Sequence, residues 1–377
     1  PSQQRELCRI GFDSVWNGTN KWAHCIDWPY APAPGFAALL WNDVLSDSSL
    51  ESERQPGKPF EGKVAEIIQE RIQPMVDGIL ATDKTGSSLS SSSQCHIMLW
   101  EFPFHYGHLE EAWNAVEQQI QGLIADQETN GSWLFKPVQA QQKTLGQSGD
   151  ATMGTTAHNA MKLLRHARIT GSSSSREAGL KALGFIGQFN VPRGGQVWEC
   201  PLYQPDILPA AYTIGACVDA WRLTGNLDHI DHAVKWAESG IPFIYLWSLP
   251  NRPMMLGATI PVFGSTFYTH TWLAVPVQWN GLVYSYHLIH LAETMEKIAS
   301  GGTTLPQGVL EFTPNDWRSI QAHILASATH QQCIEGKLIG TYPDSISNFE
   351  KRNGAFINPE DILLNQLALE GFDPDIH

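Results

Sequence analysis

The chain has 377 residues and a formal net charge of −14, with 24 Lys and Arg against 38 Asp and Glu. Nucleic acids and anionic membrane surfaces are bound by basic faces, so this balance argues against both as partners. No run of about eighteen apolar residues predicts a membrane-spanning helix. The 14 Trp are unusually many, and their flat rings fill cores and also stack on sugars. The composition therefore favours a neutral or weakly charged ligand.

Neither the cysteines nor the histidines form a recognisable metal motif. The 6 Cys include no C-x-x-C pair, which argues against a zinc ribbon and a thioredoxin motif. His287 and His290 have the i, i+3 spacing of one helix face, but no H-E-x-x-H motif or acidic partner accompanies them. We therefore expect no metal ion and no other cofactor, while the sequence leaves the oligomeric state open.

The cellular compartment is indicated only indirectly. The chain starts at Pro1 rather than Met, which is compatible with removal of a signal peptide. Two Asn-x-Ser/Thr triplets fit the N-glycosylation pattern, but such triplets also occur by chance in chains of this length. A secreted or periplasmic location is slightly favoured over a cytoplasmic one.

Helical patterns dominate the chain. Residues 34–47 and 60–80 read as two helices, and residues 94–102 as a short strand after a serine-rich turn. From residue 108 onward, apolar residues recur at three- and four-residue spacing in a series of segments, several of which begin at Asp or Ser and end at Gly. Helices are predicted for residues 108–127, 150–171, 175–189, 206–225, 227–240, 278–297 and 316–332.

Two of these helices end in related sequences, ARITG at residues 167–171 and WRLTG at residues 221–225. Each is followed by a second amphipathic helix and an irregular loop, which makes a helical hairpin with a period of about fifty residues. Long and irregular connections favour a closed ring of hairpins over an open solenoid. The loops before the inner helices would then converge at one mouth, namely residues 127–149, 190–205, 241–277 and 335–358.

The hairpin ends and the segments QETNGSW, VPRGGQVWECP and PVQWNGLVY resemble the six-hairpin glycosidase-like superfamily, in particular a group of bacterial members. The resemblance covers most of residues 108–371. It implies an all-α fold, an (α/α)6 toroid with long irregular loops and a few short strands. It also implies a carbohydrate-active enzyme, since the superfamily includes glycoside hydrolases and polysaccharide lyases. We expect one domain over residues 1–377, in which residues 1–107 add the first hairpins and an aromatic flap and residues 108–377 hold the main repeats.

Three acids lie where the loops should meet. Hydrolysis of a glycosidic bond needs one carboxyl group as the acid and a second as base or nucleophile. Glu199 lies between Trp198 and Cys200 in a loop, and apolar surroundings raise the pKa of a carboxyl group toward the range of a general acid. Asp150 and Asp206 stand before predicted helices, so both could instead be N-caps. The structural alternative for Glu199 is an ion pair with Arg193.

Several side chains are candidates for sugar binding at the same mouth. Aromatic platforms are predicted at Trp133, Trp198, Tyr203 and Trp279. The alternative for Trp133 is a structural staple between helices. Arg193, His270 and Tyr284 complete the predicted binding set.

The same residues allow a second chemistry. A polysaccharide lyase would use Tyr284 or His270 to take a proton from a uronate that Arg193 neutralises. Because the chain is acidic, a polyanionic substrate is disfavoured. We therefore prefer hydrolysis to the lyase reaction. A non-catalytic glycan-binding toroid is the third hypothesis.

Overall fold

A computed structural model describes residues 2–15, 22–23, 29–30, 109–267, 271–303, 305 and 312–371. The helices predicted for residues 34–47 and 60–80, the strand predicted for residues 94–102, and His270 lie outside the described residues. The chain divides into two compact units. The first comprises Pro1–Gln118, Gln331–Asp344 and Gly354–His377, and the second comprises Gln119–His330 and Ser345–Asn353.

Helices account for most of the described chain, at the positions that the apolar spacing predicts. Beyond the helices named above, the structure shows an N-terminal helix, a C-terminal helix and two short pairs of strands. The helices are α1 (Ser2–Val15), α2 (Leu109–Ala125), α3 (Met153–Thr170), α4 (Ser173–Ile186), α5 (Ile207–Thr224), α6 (Asp228–Gly240), α7 (Gln278–Ser300), α8 (Pro314–Gln331) and α9 (Glu360–Leu369). The strands are β1 (Trp22–Ala23), β2 (Pro29–Tyr30), β3 (Tyr342–Ser347) and β4 (Lys351–Ile357).

Helices α3 and α5 end in the same way, as their related sequences predict. Gly171 and Gly225 follow the two helices with φ of 73° and 69°, the left-handed conformation that glycine adopts at little cost. Their amide groups donate to the carbonyls of Ala167 and Trp221. The repeated Arg-x-Thr-Gly sequence is therefore a helix C-cap, and it turns the chain into the outer helix of each hairpin.

Burial separates inner from outer helices in the second unit. Helix α5 packs against α3, α6 and α7, and every residue from Ile207 to Ala220 is buried. Helix α7 is buried from Gln278 through Ala292. Helices α4, α6 and α8 instead expose one face to solvent. Such a pattern is expected when α3, α5 and α7 line the inside of the hairpin layer and α4, α6 and α8 cover them.

A buried ion-pair network ties α3 to α5. The Asp219 carboxylate lies 2.9 Å from Arg165 Nε, 3.1 Å from Arg168 Nε and 3.3 Å from the Nη1 atom of Arg222. Burial alone would raise the pKa of Asp219, but the three guanidinium groups outweigh it and lower the pKa to about 2. The network lies near the C-terminal ends of α3 and α5. The loops that precede these two helices are at the opposite helix ends.

The first unit contains α1 and α9, which contact each other. Arg5 Nη1 lies 3.4 Å from Glu370 Oε2, and the Gln332 amide donates a hydrogen bond of 2.6 Å to the Gly340 carbonyl. Strands β1 and β2 form an antiparallel pair, and β3 pairs with β4. No helix in the described part of the chain is long and apolar enough to cross a membrane.

Candidate functional site

The four loops expected to converge are joined by backbone hydrogen bonds. Leu202 donates to Leu145 across 3.0 Å, which links residues 190–205 to residues 127–149. Phe263 donates to Pro205 across 3.0 Å, and Ile346 donates to Pro276 across 3.0 Å. Each bond connects one predicted loop to the next, so the expectation that these loops meet before the inner helices is confirmed.

Apolar side chains from three of these loops support the same arrangement. Phe135, Leu145 and Leu202 form a buried cluster, and the partly buried Val197 and Phe267 pack against it. Because each loop contributes at least one side chain, displacing one loop would expose apolar surface of the others. The loops therefore form a fixed platform that can hold polar groups in place.

The loop of residues 191–206 lies directly on the start of α3. The Gly154 amide donates to the Arg193 carbonyl across 3.1 Å. A Cβ atom on Gly154 would lie 2.3 Å from the Gly194 oxygen and 2.3 Å from the Gly195 nitrogen. Glycine is required at residue 154 because the loop backbone occupies the space of a side chain. Gly194 itself has φ of 71°, which glycine tolerates best.

Asp206 holds this loop from within. It is the N-cap of α5 and accepts from the Leu208 amide at 3.0 Å. Its other oxygen accepts from the Gly195 and Gln196 amides at 3.0 Å and 2.7 Å. Burial raises its pKa to about 6, although the hydrogen bonds act in the opposite direction. With 2% of its surface exposed and both oxygens engaged, Asp206 has the geometry of a structural anchor.

Asp150 is not the N-cap of α3, because Thr152 has that role and accepts from the Thr155 amide at 3.2 Å. Asp150 Oδ2 instead accepts from the Gln147 amide at 2.9 Å and from the Tyr203 hydroxyl at 2.9 Å. The Asp150 side chain is only half-buried. Of the two aspartates, Asp150 is therefore the one with access to a ligand.

Tyr203 and Arg193 stand together on the surface of the loop. Tyr203 is 59% exposed, and its hydrogen bond to Asp150 raises the pKa of its hydroxyl. The Arg193 guanidinium carbon lies 5.5 Å from the Tyr203 ring centroid and 5.1 Å from that of Phe189. In the described structure, the Arg193 guanidinium therefore makes cation–π contacts. The ion pair with Glu199 that the sequence suggested as an alternative is not among its contacts with the described residues.

Glu199 is half-buried in the same loop, where its amide donates to the Gln196 carbonyl across 3.2 Å. Next to it, Trp198 stacks against Trp279 with ring centroids 6.2 Å apart and ring planes at 30°. Trp279 is 8% exposed and is the second residue of α7. Trp198 is therefore the more accessible ring, and Trp279 supports it from the helix.

Two predicted binding residues lie in the interior. Trp133 is 5% exposed, and its indole Nε1 donates to the Leu123 carbonyl across 3.0 Å, which is the staple considered as the alternative. Tyr284 is fully buried, and its hydroxyl donates to the Ala237 carbonyl of α6. Burial raises the pKa of Tyr284 far above its usual range. Neither side chain is positioned to contact a ligand in this conformation.

One contact was not predicted from the sequence, although its residues are polar and lie in predicted loops. Gln204 Oε1 accepts from the Ser265 amide at 3.0 Å and so ties two loops together.

No metal centre is indicated in the described residues, since no group of three or more His, Cys, Asp or Glu side chains is arranged to hold an ion.

Comparison with solved structures finds the same fold in carbohydrate-active enzymes. An unsaturated glucuronyl hydrolase specific for heparin aligns over 98% of this chain and 94% of its own, with 12% identity and a TM-score of 0.56. An inactive variant of an α-1,6-mannanase from Salegentibacter sp. HEL1_6, in complex with α-1,6-mannotetraose, aligns over 97% and 98%, with 11% identity and a TM-score of 0.56. An α-mannanase from Bacteroides thetaiotaomicron aligns over 97% and 94%, with 10% identity and a TM-score of 0.56.

No protein-family model matches the sequence, and no curated protein matches it. The structural neighbours are members of the six-hairpin glycosidase superfamily. At these identities the likeness concerns the fold, not the reaction. It confirms the all-α class expected from the hairpin repeats, and the chain has the (α/α)6 toroid fold of these neighbours.

Proposed function

We propose that the protein is a glycoside hydrolase that cleaves a glycosidic bond of an oligo- or polysaccharide by carboxylate catalysis. The observation that carries the proposal is the pairing of two loops before the inner helices. One loop bears Asp150 and the other bears Glu199, and the Tyr203 hydroxyl joins them by its bond to Asp150. Glycosidic hydrolysis uses two carboxyl groups that flank the bond, and these two half-buried acids are the pair that the neighbouring loops supply.

Glu199 is the proposed general acid. It donates its proton to the departing glycosidic oxygen as the bond to the anomeric carbon breaks. Asp150 is the proposed second carboxylate, which acts on the anomeric side of the bond as base toward water or as nucleophile. The product gains one water molecule, and the proton removed from that water restores the acid. Asp206 is given no role in bond cleavage, because both its oxygens hold the loop.

The side chains around the acids supply binding. Trp198 presents an indole face for a sugar ring, and Trp279 keeps that face in place. The Arg193 guanidinium offers hydrogen-bond donors beside the exposed Tyr203 ring, and the Tyr203 hydroxyl, whose proton is donated to Asp150, offers an acceptor. The complex of the structurally similar mannanase with α-1,6-mannotetraose supports a carbohydrate as the substrate class.

The lyase hypothesis receives less support. Of its two candidate proton acceptors, the Tyr284 hydroxyl donates to a helix carbonyl in the interior, and His270 lies outside the described residues. The glycan-binding hypothesis uses the same binding side chains as the hydrolase hypothesis, but it predicts no cleavage of the bound glycan.

Digestion of a glycan panel with analysis of the products tests the proposal. The panel should include α-1,6-manno-oligosaccharides, unsaturated glucuronyl disaccharides and a saturated uronate polymer, with chromatography and mass spectrometry as read-outs. We expect products that have gained one water per bond cleaved. New unsaturated products from the saturated polymer would favour a lyase, and binding without any cleavage would favour the glycan-binding protein.

A further inference from the structure

A pocket lies outside the candidate site and has none of the candidate-site residues in its lining. It has a volume of about 360 Å³ and lies between the segment that follows α6 and one face of α8. Small-ligand pockets typically enclose about 300–1,000 Å³, so the pocket is large enough for a ligand. Its two walls differ in chemistry.

One wall is apolar and aromatic. It is formed by Ile241, Ile244, Leu246 and the ring of Tyr245. Tyr245 is held by a hydrogen bond of 3.3 Å from its hydroxyl to the Ala274 carbonyl and by edge contact with Phe349. The wall is therefore fixed, yet Leu246 remains 57% exposed, which leaves apolar surface in contact with water.

The opposite wall has polar side chains beside Phe312 and Ile320. Asp316, Ser319 and His323 recur along one exposed face of α8 and all line the pocket. Asp316 Oδ2 accepts from the Thr313 amide at 2.8 Å and from the Thr313 hydroxyl at 2.6 Å. These bonds lower the pKa of Asp316, so the carboxylate stays charged near neutral pH. Its Oδ1 atom has no partner among the described residues.

From these two walls we propose that the pocket is a second carbohydrate site, which binds one neutral sugar unit apart from the candidate cleft. A sugar ring has an apolar C–H face, which fits the wall of Tyr245 and the isoleucines. It also has a rim of hydroxyl groups, which can donate to Asp316 and exchange hydrogen bonds with Ser319 and His323.

The charge and polarity of the walls select against other ligands. An anionic ligand would be repelled by the Asp316 carboxylate. A purely apolar ligand would bury three polar side chains without hydrogen bonds, which is unfavourable. The inference does not depend on catalysis in the cleft, since it uses none of the residues proposed to cleave the substrate.

A filling variant and a matched control test the site. Ser319→Trp places an indole in the pocket at an exposed helix position, so the fold should tolerate it. Ser173→Trp makes the same change at an exposed residue of α4 outside the pocket. Binding of glucose, mannose, galactose and N-acetylglucosamine is measured by saturation-transfer NMR and by titration, at up to about 100 mM sugar, where a Kd of about 10 mM is readily detected.

We expect the wild type and Ser173→Trp to bind at least one of the four sugars equally well. Ser319→Trp should weaken this binding at least about tenfold while leaving hydrolysis of a short substrate unchanged. Equal binding by Ser319→Trp and the wild type, or no binding by the wild type, would overturn the second site. Neither outcome bears on the cleft, and loss of the proposed hydrolysis would leave this binding result unaffected.

Discussion

The Tyr203 hydroxyl donates a hydrogen bond of 2.9 Å to Asp150 Oδ2, although the two residues are 53 positions apart in the chain. The same oxygen accepts from the Gln147 amide. Because Tyr203 is largely exposed, the bond adds little to the free energy of unfolding. Its main effect is to orient the Asp150 carboxylate toward the neighbouring loop, which bears Glu199.

Tyr203→Phe removes this hydroxyl and keeps the ring beside Arg193. We expect kcat/KM to fall about 10- to 100-fold, since a misoriented carboxylate loses transition-state stabilisation. The free energy of unfolding should change by less than about 0.5 kcal/mol. Steady-state kinetics and chemical denaturation measure the two effects. Ser300→Ala removes a hydroxyl at the exposed C-terminal end of α7 and serves as the control; equal kcat/KM in Tyr203→Phe and this control would contradict the role of Tyr203.

Substitution of Trp198 should weaken substrate binding, whereas substitution of Trp133 should lower the stability of the fold. Trp198→Ala removes the accessible indole face that a sugar ring would cover, so we expect KM to rise about tenfold, which corresponds to about 1.4 kcal/mol of lost binding. Trp133→Phe removes the indole hydrogen bond to the Leu123 carbonyl from a side chain that is only 5% exposed. It should lower the free energy of unfolding by about 1–3 kcal/mol without changing KM. A rise in KM for Trp133→Phe at unchanged stability would restore Trp133 as a platform.

Gly154→Ala tests whether the loop of residues 191–206 must contact α3. The added Cβ would lie 2.3 Å from the backbone of Gly194 and Gly195, and this clash should cost about 1–3 kcal/mol. We also expect kcat/KM to fall at least tenfold, because the displaced loop carries Glu199. Gly184→Ala is the matched control, since a Cβ there meets nothing within 4 Å and should stabilise α4 by about 0.5–1 kcal/mol. Wild-type kinetics in Gly154→Ala would show that the contact is dispensable.

Much of the fold could be predicted because capping chemistry and apolar spacing act locally. The related ends at residues 167–171 and 221–225 predicted two hairpins, and Gly171 and Gly225 are the C-caps that this pattern requires. The pair β3 and β4 was not predicted, since residues 335–358 read as a loop. Its turn has Asn348 and Phe349 with φ of 55° and 58°, and a bulky residue in this conformation gives no turn signal in the sequence.

The site was predictable at the level of loops but not of individual contacts. The order of helices alone places residues 127–149 and 190–205 side by side. Whether an acid caps its helix depends on atomic geometry, so Asp206 and Asp150 looked equivalent in sequence although Thr152 replaces Asp150 as the cap of α3. Burial of Tyr284 depends on its packing between α7 and α6, which no local pattern of residues reveals.

Asp219→Asn tests the ion-pair network between α3 and α5. It leaves the buried Arg165 without its carboxylate, so we expect the free energy of unfolding to fall by about 3–5 kcal/mol. The exposed Asp231→Asn on α6 is the control and should change it by less than about 0.5 kcal/mol. Chemical denaturation at pH 7 measures both variants, and equal stability of the two would contradict the network's contribution.

The same network predicts a dependence of stability on pH. The pKa of Asp219 is lowered to about 2, below its value of about 3.9 in an unfolded chain. The ionised group therefore contributes about 2–3 kcal/mol above pH 4, and this contribution is lost as the pH falls from about 5 toward 2. The difference in stability between the wild type and Asp219→Asn should shrink over this range; a constant difference would show that Asp219 is not responsible.

Turnover by Glu199→Gln measures whether Glu199 is the proton donor of a hydrolase. The substitution keeps the shape of the side chain and removes its titrating proton. On a substrate confirmed by the glycan panel, we expect kcat to fall about 100-fold or more, with substrate affinity and the free energy of unfolding nearly unchanged. Glu177→Gln, at an exposed position on α4, should retain wild-type kcat. Full activity in Glu199→Gln would show that Glu199 is not the proton donor.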